Sequence, residues 1–579
     1  MAAPTVASTP EAGECARQIV EAFARYNAEF RAITRRAPLR FDNRDSHGGQ
    51  HDAVERIELY DRFVNQTVSE LRSALAEHAL ERQLWKRIHD EFAARIGDLP
   101  DPEFTKTFFS SISRRLFGTV GVAPDIEFVA TALDPLANHS AVGTNTYVNH
   151  GSLSLLFEDL LGDVRFRSPW RDLDKSVAYV AAEVRATLAA EGERREVEKV
   201  EVIRPVFYQI SRAYIIGRIV GRRLTLPLVI ALKNTDGGVL VDAVMLSEDD
   251  ISIVFSFTRS YFHVDLERVA EAVVFLKAIM PRKPVSELFT VLGRAKQGKT
   301  ERYRELISHM EHTTDRFAHA AGERGLVMVC FTLPSFDVVF KIIRDRFAYP
   351  KTVLRDEVLA KYRLVFIHDR AGRLVDAQEF RRLRFPRSRF APELLEELQR
   401  ETSQTVHEDG EDLVFDHMYI ERRMTPLNLY LRSAPPEAAE QAVLDYGQCI
   451  RDLAYTNIFP GDLLLKNFGV TRHGRVIFYD YDELCQVTDC VFRDVPQATN
   501  EEDELRGEAW FYVGESDVFP ETFIRFLAFD DSQRAALLRM HGEILTAAFW
   551  RGVQQRLREG EVVEVLPYHP HRVRVAGSL

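Results

Sequence analysis

Apolar residues recur at helical spacing over much of the first 300 residues. From Cys15 to Ile33 they fall at Ile19, Val20, Phe23, Tyr26 and Phe30, which predicts one amphipathic helix. A longer pattern runs through Tyr60, Phe63, Val64, Val68, Leu71, Leu75, Leu80, Leu84, Ile88, Phe92 and Ile96, and Asp98, Pro100 and Pro102 stop it. Residues 1–13 are small and polar and read as frayed; residues 35–52, basic and then rich in Gly, His and Asp, read as loop. Helical patterns return over Asp172–Ala190, Arg204–Val220, Leu266–Met280 and Glu301–Ala318. Leu226–Leu232 and Val239–Leu246 are strand-like and flank Asn234-Thr235-Asp236-Gly237-Gly238, a hairpin composition. Ile251–Phe257 reads as a third strand. The first half is therefore expected to be mostly helical with a small inserted sheet, and a domain boundary falls near residue 315.

The second half changes period. Strands are predicted over Leu326–Thr332, Val338–Ile343 and Leu413–Ile420, and helices over Arg355–Val365 and Leu444–Tyr455. A hairpin follows, with strands at Leu463–Leu465 and Val476–Tyr479 and a turn at His473-Gly474. The fold class is α+β.

Length, charge and cysteine usage narrow the classes. A chain of 579 residues exceeds one core. A net charge of −12 argues against a general binder of nucleic acid or of membrane surfaces. Cys15, Cys330, Cys449, Cys485 and Cys490 are scattered with no C-x-x-C pair, and read as reduced thiols. No apolar run reaches transmembrane length and no signal-peptide core is seen, so a cytoplasmic protein is expected.

Candidate chemistry collects around the hairpin. Asp462 and Asn467 are five apart, and Asn467 and Asp480 thirteen apart. Protein kinases use this spacing for a carboxylate that orients the attacking hydroxyl, an amide, and a second carboxylate that hold Mg²⁺ on the phosphates. Upstream, Ala320-Ala321-Gly322-Glu323-Arg324-Gly325-Leu326 is a glycine-containing turn that can bring backbone N–H groups against phosphates. Lys341 sits in the apolar run Val338–Ile343, where an ammonium must reach a partner; a lysine snorkelling from an edge strand is the bland alternative. Glu357, on the next helix, is the nearest candidate carboxylate. Glu421–Met424 follow a buried strand as a kinase hinge does, and backbone groups there, at Glu421 and Met424 among them, would bond adenine. After Asp480, side-chain alternation in an extended chain would put Asp482 on the same side and turn Glu483 away. Asp482 could then orient a water. No H-x-G-x-x-R or C-x5-R phosphatase motif occurs elsewhere.

The stretches AAGERGLVMVCFTLPSFDVVFKIIRD, YIERRMTPLNLYL and NIFPGDLLLKNFGVTRHGRVIFYDYDELC closely resemble the bacterial isocitrate dehydrogenase kinase/phosphatase family. The resemblance implies a helical regulatory domain over 1–315 and a bilobal protein-kinase-like domain over 316–579. Within the latter the small lobe would span 316–420 and the large lobe 425–579, with a substrate-recognition loop over 490–526. It implies a serine kinase and phosphatase of isocitrate dehydrogenase with an intrinsic ATPase, setting flux between the tricarboxylic acid cycle and the glyoxylate bypass. ATP and Mg²⁺ would be the cofactors, with Mn²⁺ as a substitute and AMP as effector; ADP would also bind, and a homodimer is compatible. Carried over, 320–326 and Lys341 bind ATP, Asp462 is catalytic, and Asn467 and Asp480 hold the metal. The family also gives weight to Asp376, which the residues alone would make a helix N-cap before Ala377-Gln378-Glu379. Pro460 and Gly461 stand where kinases have His and Arg of H-R-D, and Asp480-Tyr481-Asp482 replaces D-F-G. Two rivals stay open: an ATP-binding pseudokinase-type regulator, and a small-molecule kinase of the aminoglycoside-phosphotransferase type. The acids and aromatics of 490–526, Trp510, Phe511, Tyr512 and Phe519 among them, suit a protein-docking loop.

Overall fold

The computed structural model describes residues 12–129, 136, 142–190, 196–209, 211–222, 224–256, 261–349, 354–368, 370–496 and 511–568. The chain divides into two units: Met1–Thr314 with Arg382–Arg384 and Tyr568–Leu579, and Asp315–Arg381 with Phe385–Pro567. Among the described residues no helix is long and apolar enough to cross a membrane.

The first unit opens with helices α1 (Ala12–Thr34), α2 (Ala37–Asp42), α3 (Ser46–Leu75), α4 (Arg82–Ile96) and α5 (Pro102–Phe117). Their apolar faces meet around Tyr26, Phe63, Trp85, Phe104 and Phe108. The stretch 35–52 is largely helical, not loop: Pro38 suits a first turn, and the Asp45 carboxylate caps α3 by accepting from Gly48 N at 2.8 Å. The long pattern from Tyr60 breaks at Ala76, whose φ of +47° ends α3.

A sheet of six strands follows: β1 (Thr144–Val148), β2 (Val197–Ile203), β3 (Phe207–Gln209), β4 (Arg212–Gly221), β5 (Leu224–Thr235) and β6 (Gly238–Met245). The order is β1-β2-β4-β5-β6, with β3 beside β4. Arg204–Val220 is therefore strand, not helix. Its Tyr, Ile and Val residues fit a pleated surface, and β4 is buried along most of its length. Helices α6 (Leu153–Asp163) and α7 (Leu173–Ala190) pack on the sheet through Phe157, Val180 and Val184 against Ile215, Leu228 and Ile230. The expected third strand is instead α8 (Glu248–Val254). Ser247 Oγ accepts from Asp250 N at 3.2 Å, and Glu248, Asp249 and Asp250 complement the positive end of the helix dipole. Then come α9 (Val269–Ile279), α10 (Val285–Val291) and α11 (Ala295–His312). Tyr568 belongs here too, bonded with Arg212 and Asp242.

The second unit has two lobes. Strands β7 (Ala318–His319), β8 (Met328–Thr332), β9 (Val338–Ile343), β10 (Gln378–Phe380) and, later in the chain, β14 (Met418–Arg422) form one antiparallel sheet in the order β10-β14-β9-β8-β7. Between them run α12 (Arg355–His368), α13 (Pro392–Glu401) and a small sheet of β11 (Leu383–Pro386), β12 (Val406–Asp409) and β13 (Asp412–Phe415). The single strand expected over Leu413–Ile420 is two, β13 and β14. The other lobe holds β15 (Thr425–Pro426), α14 (Leu427–Ser433), α15 (Pro436–Tyr455), β16 (Phe468–Val470) and β17 (Val476–Phe478). Tyr446, Cys449, Ile450 and Leu453 of α15 pack with Phe468, Phe478 and Trp550 in its core. The short strand β18 (Val491–Phe492) pairs in parallel with β19 (Asp517–Val518). Residues 497–510, with Trp510 and most acids of the expected docking loop, lie outside the described residues. Phe511 and Phe519 meet with ring centroids 5.3 Å apart, and Tyr512 is exposed.

Candidate active site

A cavity of about 350 Å³ lies between the five-stranded sheet and the β16–β17 hairpin, a volume that suits a small-molecule ligand. Ala320, Ala321, Gly322, Glu323, Arg324, Gly325, Leu326, Lys341, Glu421, Met424, Asp462, Asn467, Asp480 and Asp482 all line it. The fold thus gathers residues that are up to 162 positions apart, Ala320 to Asp482.

Lys341 enters from β9, with 5% of its surface exposed. Its Nζ lies 2.8 Å from Glu421 Oε1 and donates to Tyr479 O at 2.8 Å. Burial would pull this ammonium down, but the charges of Glu421 and Asp480 raise it above the ordinary lysine value. Burial pushes the Glu421 carboxyl up against the pull of Lys341. Its Oε2 is buried without a hydrogen-bond partner.

This pair corrects the expectation about Glu357. Glu357 stays at the start of α12, where its carboxylate accepts from Leu354 N at 3.1 Å. Helix α12 contributes other groups: Tyr362 lines the cavity and stacks on Tyr419 at 4.1 Å, and Lys361 Nζ donates to Asp482 O at 2.5 Å. The acid comes from the neighbouring strand because β14 pairs with β9, placing Glu421 opposite Val339, two residues from Lys341. Pairing of β14 with β10 stops at Ile420, so the Glu421–Arg422 backbone has no strand on that edge among the described residues. Beyond it, Arg423 N donates to Asp337 O at 3.1 Å and Met424 lines the cavity.

The glycine turn is held from below. Arg344 Nε donates to Gly325 O at 3.1 Å, and its Nη2 pairs with Glu397 of α13 at 2.8 Å. His319 reaches the same carboxylate at 2.6 Å. Burial would raise the Glu397 carboxyl, but Arg344 and His319 hold it below its usual value. Gly322 has a φ of +118°, a conformation costly for residues with a Cβ.

Across the cavity, Leu465–Asn467 is a 3₁₀ turn and the strand begins at Phe468, correcting the expected strand over Leu463–Leu465. The Asp462 carboxylate accepts from Leu464 N at 3.1 Å and from Asn467 Nδ2. Lys466 Nζ reaches Glu323 at 3.1 Å, linking the hairpin to the glycine turn. Both are well exposed, so the pair contributes little stability. The β17 strand ends at Phe478 and the chain turns at Asp482-Glu483, so alternation does not continue: Glu483 also lines the cavity. Gly461 faces that turn with a φ of +88°; a Cβ there would stand 2.4 Å from Glu483 Cβ and 2.7 Å from its carbonyl oxygen.

Asp376 precedes a strand, β10, and not a helix, so it is no N-cap. It is absent from the cavity lining; its Oδ2 accepts from Gln378 Nε2 at 2.9 Å, and its charge adds to the raising of Glu421. Its segment is tied to β17, where Phe478 N donates to Arg373 O at 2.8 Å and Val375 N to Phe478 O at 3.2 Å. Arg373 is buried against Asp445 and Asp452 of α15, both at 2.7 Å.

The side-chain role of Glu421, the Lys466–Glu323 pair and the Arg344–Glu397 support were missed from sequence. One signal was available: Glu421 ends the apolar run Met418-Tyr419-Ile420, as anomalous there as Lys341 is in its own strand.

Residues 16–314 match the family described as isocitrate dehydrogenase kinase/phosphatase (AceK), regulatory domain, and residues 315–570 match its kinase domain. The isocitrate dehydrogenase kinase/phosphatase of Anaeromyxobacter sp. (strain Fw109-5) is 48% identical over 563 residues, 97% of this chain and 98% of that protein. The protein of that name from Xanthomonas euvesicatoria pv. vesicatoria (strain 85-10) is 48% identical over 560 residues, 96% of each.

Proposed function

Because this chain belongs to the isocitrate dehydrogenase kinase/phosphatase family, we propose that its two opposed reactions run through the one cavity described above. The chain is a kinase and a phosphatase of isocitrate dehydrogenase, and it uses ATP. The observation that carries the shared-site reading is the surplus of acids. Asp462, Asp480, Asp482 and Glu483 line one cavity, more than phosphate transfer to a hydroxyl requires.

Each residue receives a role on that reading. The Lys341 ammonium, kept charged by Glu421, holds phosphate oxygens. The turn 320–326 covers them with backbone N–H groups, and the segment Glu421–Met424, which borders the cavity, faces adenine. Asp462 accepts the proton of the attacking serine hydroxyl. The oxygen donors fit a hard divalent cation: Asp480 offers a carboxylate, and Asn467, with its Nδ2 given to Asp462, has Oδ1 as its acceptor. Mg²⁺ held there would neutralise charge on the phosphates, and Mn²⁺ would substitute. In the reverse direction Asp482 orients a water toward the phosphoserine. Asp376 acts from the edge of the site, through the segment tied to β17.

Regulation extends the proposal. Reversible phosphorylation would set flux between the tricarboxylic acid cycle and the glyoxylate bypass, AMP would shift the balance, and the protein would act in the cytoplasm. Incubation with purified isocitrate dehydrogenase, ATP and Mg²⁺ tests the reading by mass spectrometry. A single phosphoserine should appear, then disappear when phosphorylated substrate is returned to fresh enzyme with ADP. An Asp480→Ala enzyme that still dephosphorylates normally would overturn the shared site.

A further inference from the structure

Cys485 and Cys490 stand at the back of the active-site turn with their sulfurs 3.5 Å apart, and both are free thiols. Neither lines the cavity. Cys485 nevertheless joins two parts of the site through its backbone. Its N donates to Phe459 O at 3.0 Å and its O accepts from Phe459 N at 2.8 Å. Phe459 lies three residues before Asp462, and Cys485 three after Asp482. The loop between the thiols is clamped: Gln554 Nε2 donates to Val487 O and to Cys490 O, each at 2.8 Å, and Thr488 N donates to Asn457 Oδ1 at 3.0 Å.

We propose that Cys485 and Cys490 form a reversible disulfide on meeting a two-electron thiol oxidant, hydrogen peroxide or glutathione disulfide, and that this bond slows the phosphate chemistry. With peroxide, the Cys485 thiolate attacks one oxygen, the O–O bond breaks, and hydroxide leaves and is protonated to water. Cys485 is then a sulfenic acid. The Cys490 sulfur gives up its proton and attacks the Cys485 sulfur; the S–O bond breaks and a second water leaves. The two thiols supply the two electrons that reduce the peroxide. With glutathione disulfide, Cys485 first forms a mixed disulfide and releases one glutathione thiol, and Cys490 displaces the other.

The order of attack follows from the surroundings. The hydrogen bond from Cys490 and the charge of Lys361 hold the Cys485 thiol below its ordinary value against its burial. The same hydrogen bond and burial push Cys490 up. Cys485 is half-buried and Cys490 buried, so the oxidant reaches Cys485 first. Closing 3.5 Å to a bond of about 2.05 Å draws on the Cys485 backbone and, through Phe459, on the loop that carries Asp462. Displacements of about 1 Å can cost roughly 100-fold in rate. That consequence rests on the site proposed above; the disulfide itself does not.

The test uses the full chain treated with hydrogen peroxide or with glutathione disulfide, followed by iodoacetamide and non-reducing peptide mapping. A Cys485–Cys490 cross-link is expected, with phosphorylation of isocitrate dehydrogenase reduced about tenfold or more, both reversed by dithiothreitol. Cys485→Ser and Cys490→Ser, or the alanine variants if either serine form misfolds, should match wild type before oxidation and keep their activity after it. Carbamidomethyl on both cysteines of oxidised wild type would overturn the disulfide. Equal inactivation of the variants, placing the sensitive thiol elsewhere, would overturn its control of activity.

Discussion

Lys341 and Glu421 sit on neighbouring antiparallel strands of one sheet, and their side chains form a buried ion pair at 2.8 Å. In protein kinases the carboxylate for this lysine comes from a helix. Here it comes from β14, so the strand that pairs with this lysine also leads into the segment proposed to bond adenine. Lys341→Met should reduce phosphate transfer by about 10³-fold or more. Glu421→Ala should also cost about 3–5 kcal/mol of stability, because a buried ammonium loses its partner. Glu357→Ala removes the acceptor for Leu354 N at the helix start and should cost about 1 kcal/mol. Thermal unfolding with ATP-dependent phosphorylation assays separates the three; an inactive Glu357→Ala with intact Glu421→Ala would reverse the assignment.

Gly461 is the residue that lets the loop before Asp462 pass the turn at Glu483. Gly461→Ala meets both an unfavourable φ of +88° and a contact at 2.4 Å. Displacement of Asp462 or Glu483 by about 1 Å should lower both activities roughly 100-fold. Steady-state rates in the two directions, with circular dichroism to confirm folding, check this.

Asp480 and Asp482 should separate by reaction. Asp480→Ala is expected to abolish both activities, since on the proposed reading Asp480 holds the metal in each direction. Asp482→Ala should impair phosphate release from phosphorylated isocitrate dehydrogenase more than phosphorylation. A variant at Asp482 that loses only kinase activity contradicts the water-orienting role.

Deletion of Asn500–Gly507 should weaken phosphorylation of isocitrate dehydrogenase while sparing intrinsic ATP hydrolysis. A parallel loss of both would show that the stretch supports the site itself and does not dock substrate.

Glu379 of β10 makes an acid-stability prediction. Burial would raise its carboxyl, but His417 and Arg381 hold it down to about 2, against an ordinary 4.5. The unfolded chain therefore binds this proton more readily than the folded one. The stabilisation is complete above pH 4.5 and is lost as pH falls from 4.5 to about 2. Denaturant unfolding of wild type and Glu379→Gln should differ above pH 4.5, and that difference should shrink as pH falls through this window. A difference that grows on acidification would give the shift the opposite sign.

The sequence by itself determined what local spacing can carry. The period of the apolar residues in α1, α7 and α9 placed those helices, and Asp236-Gly237 placed the turn between β5 and β6. The interval from Asp462 to Asn467 to Asp480 picked out two carboxylates and an amide that line one cavity, because a loop and hairpin of that length bring those positions together. Tertiary structure decided what depends on distant neighbours. Arg204–Val220 became strands because other strands and two helices cover it, and an apolar run has no period of its own to choose between helix and sheet. The partner of Lys341 was decided by strand order: Glu357 is 16 residues away in the chain and Glu421 is 80, yet β14 lies beside β9. Glu483 entered the cavity because the chain turns at Asp482, and Asp376 stands outside its lining because the Arg373 segment is tied to β17. A buried charge is satisfied by whatever the fold sets next to it, and that neighbour is a property of packing, which the order of residues along the chain does not display.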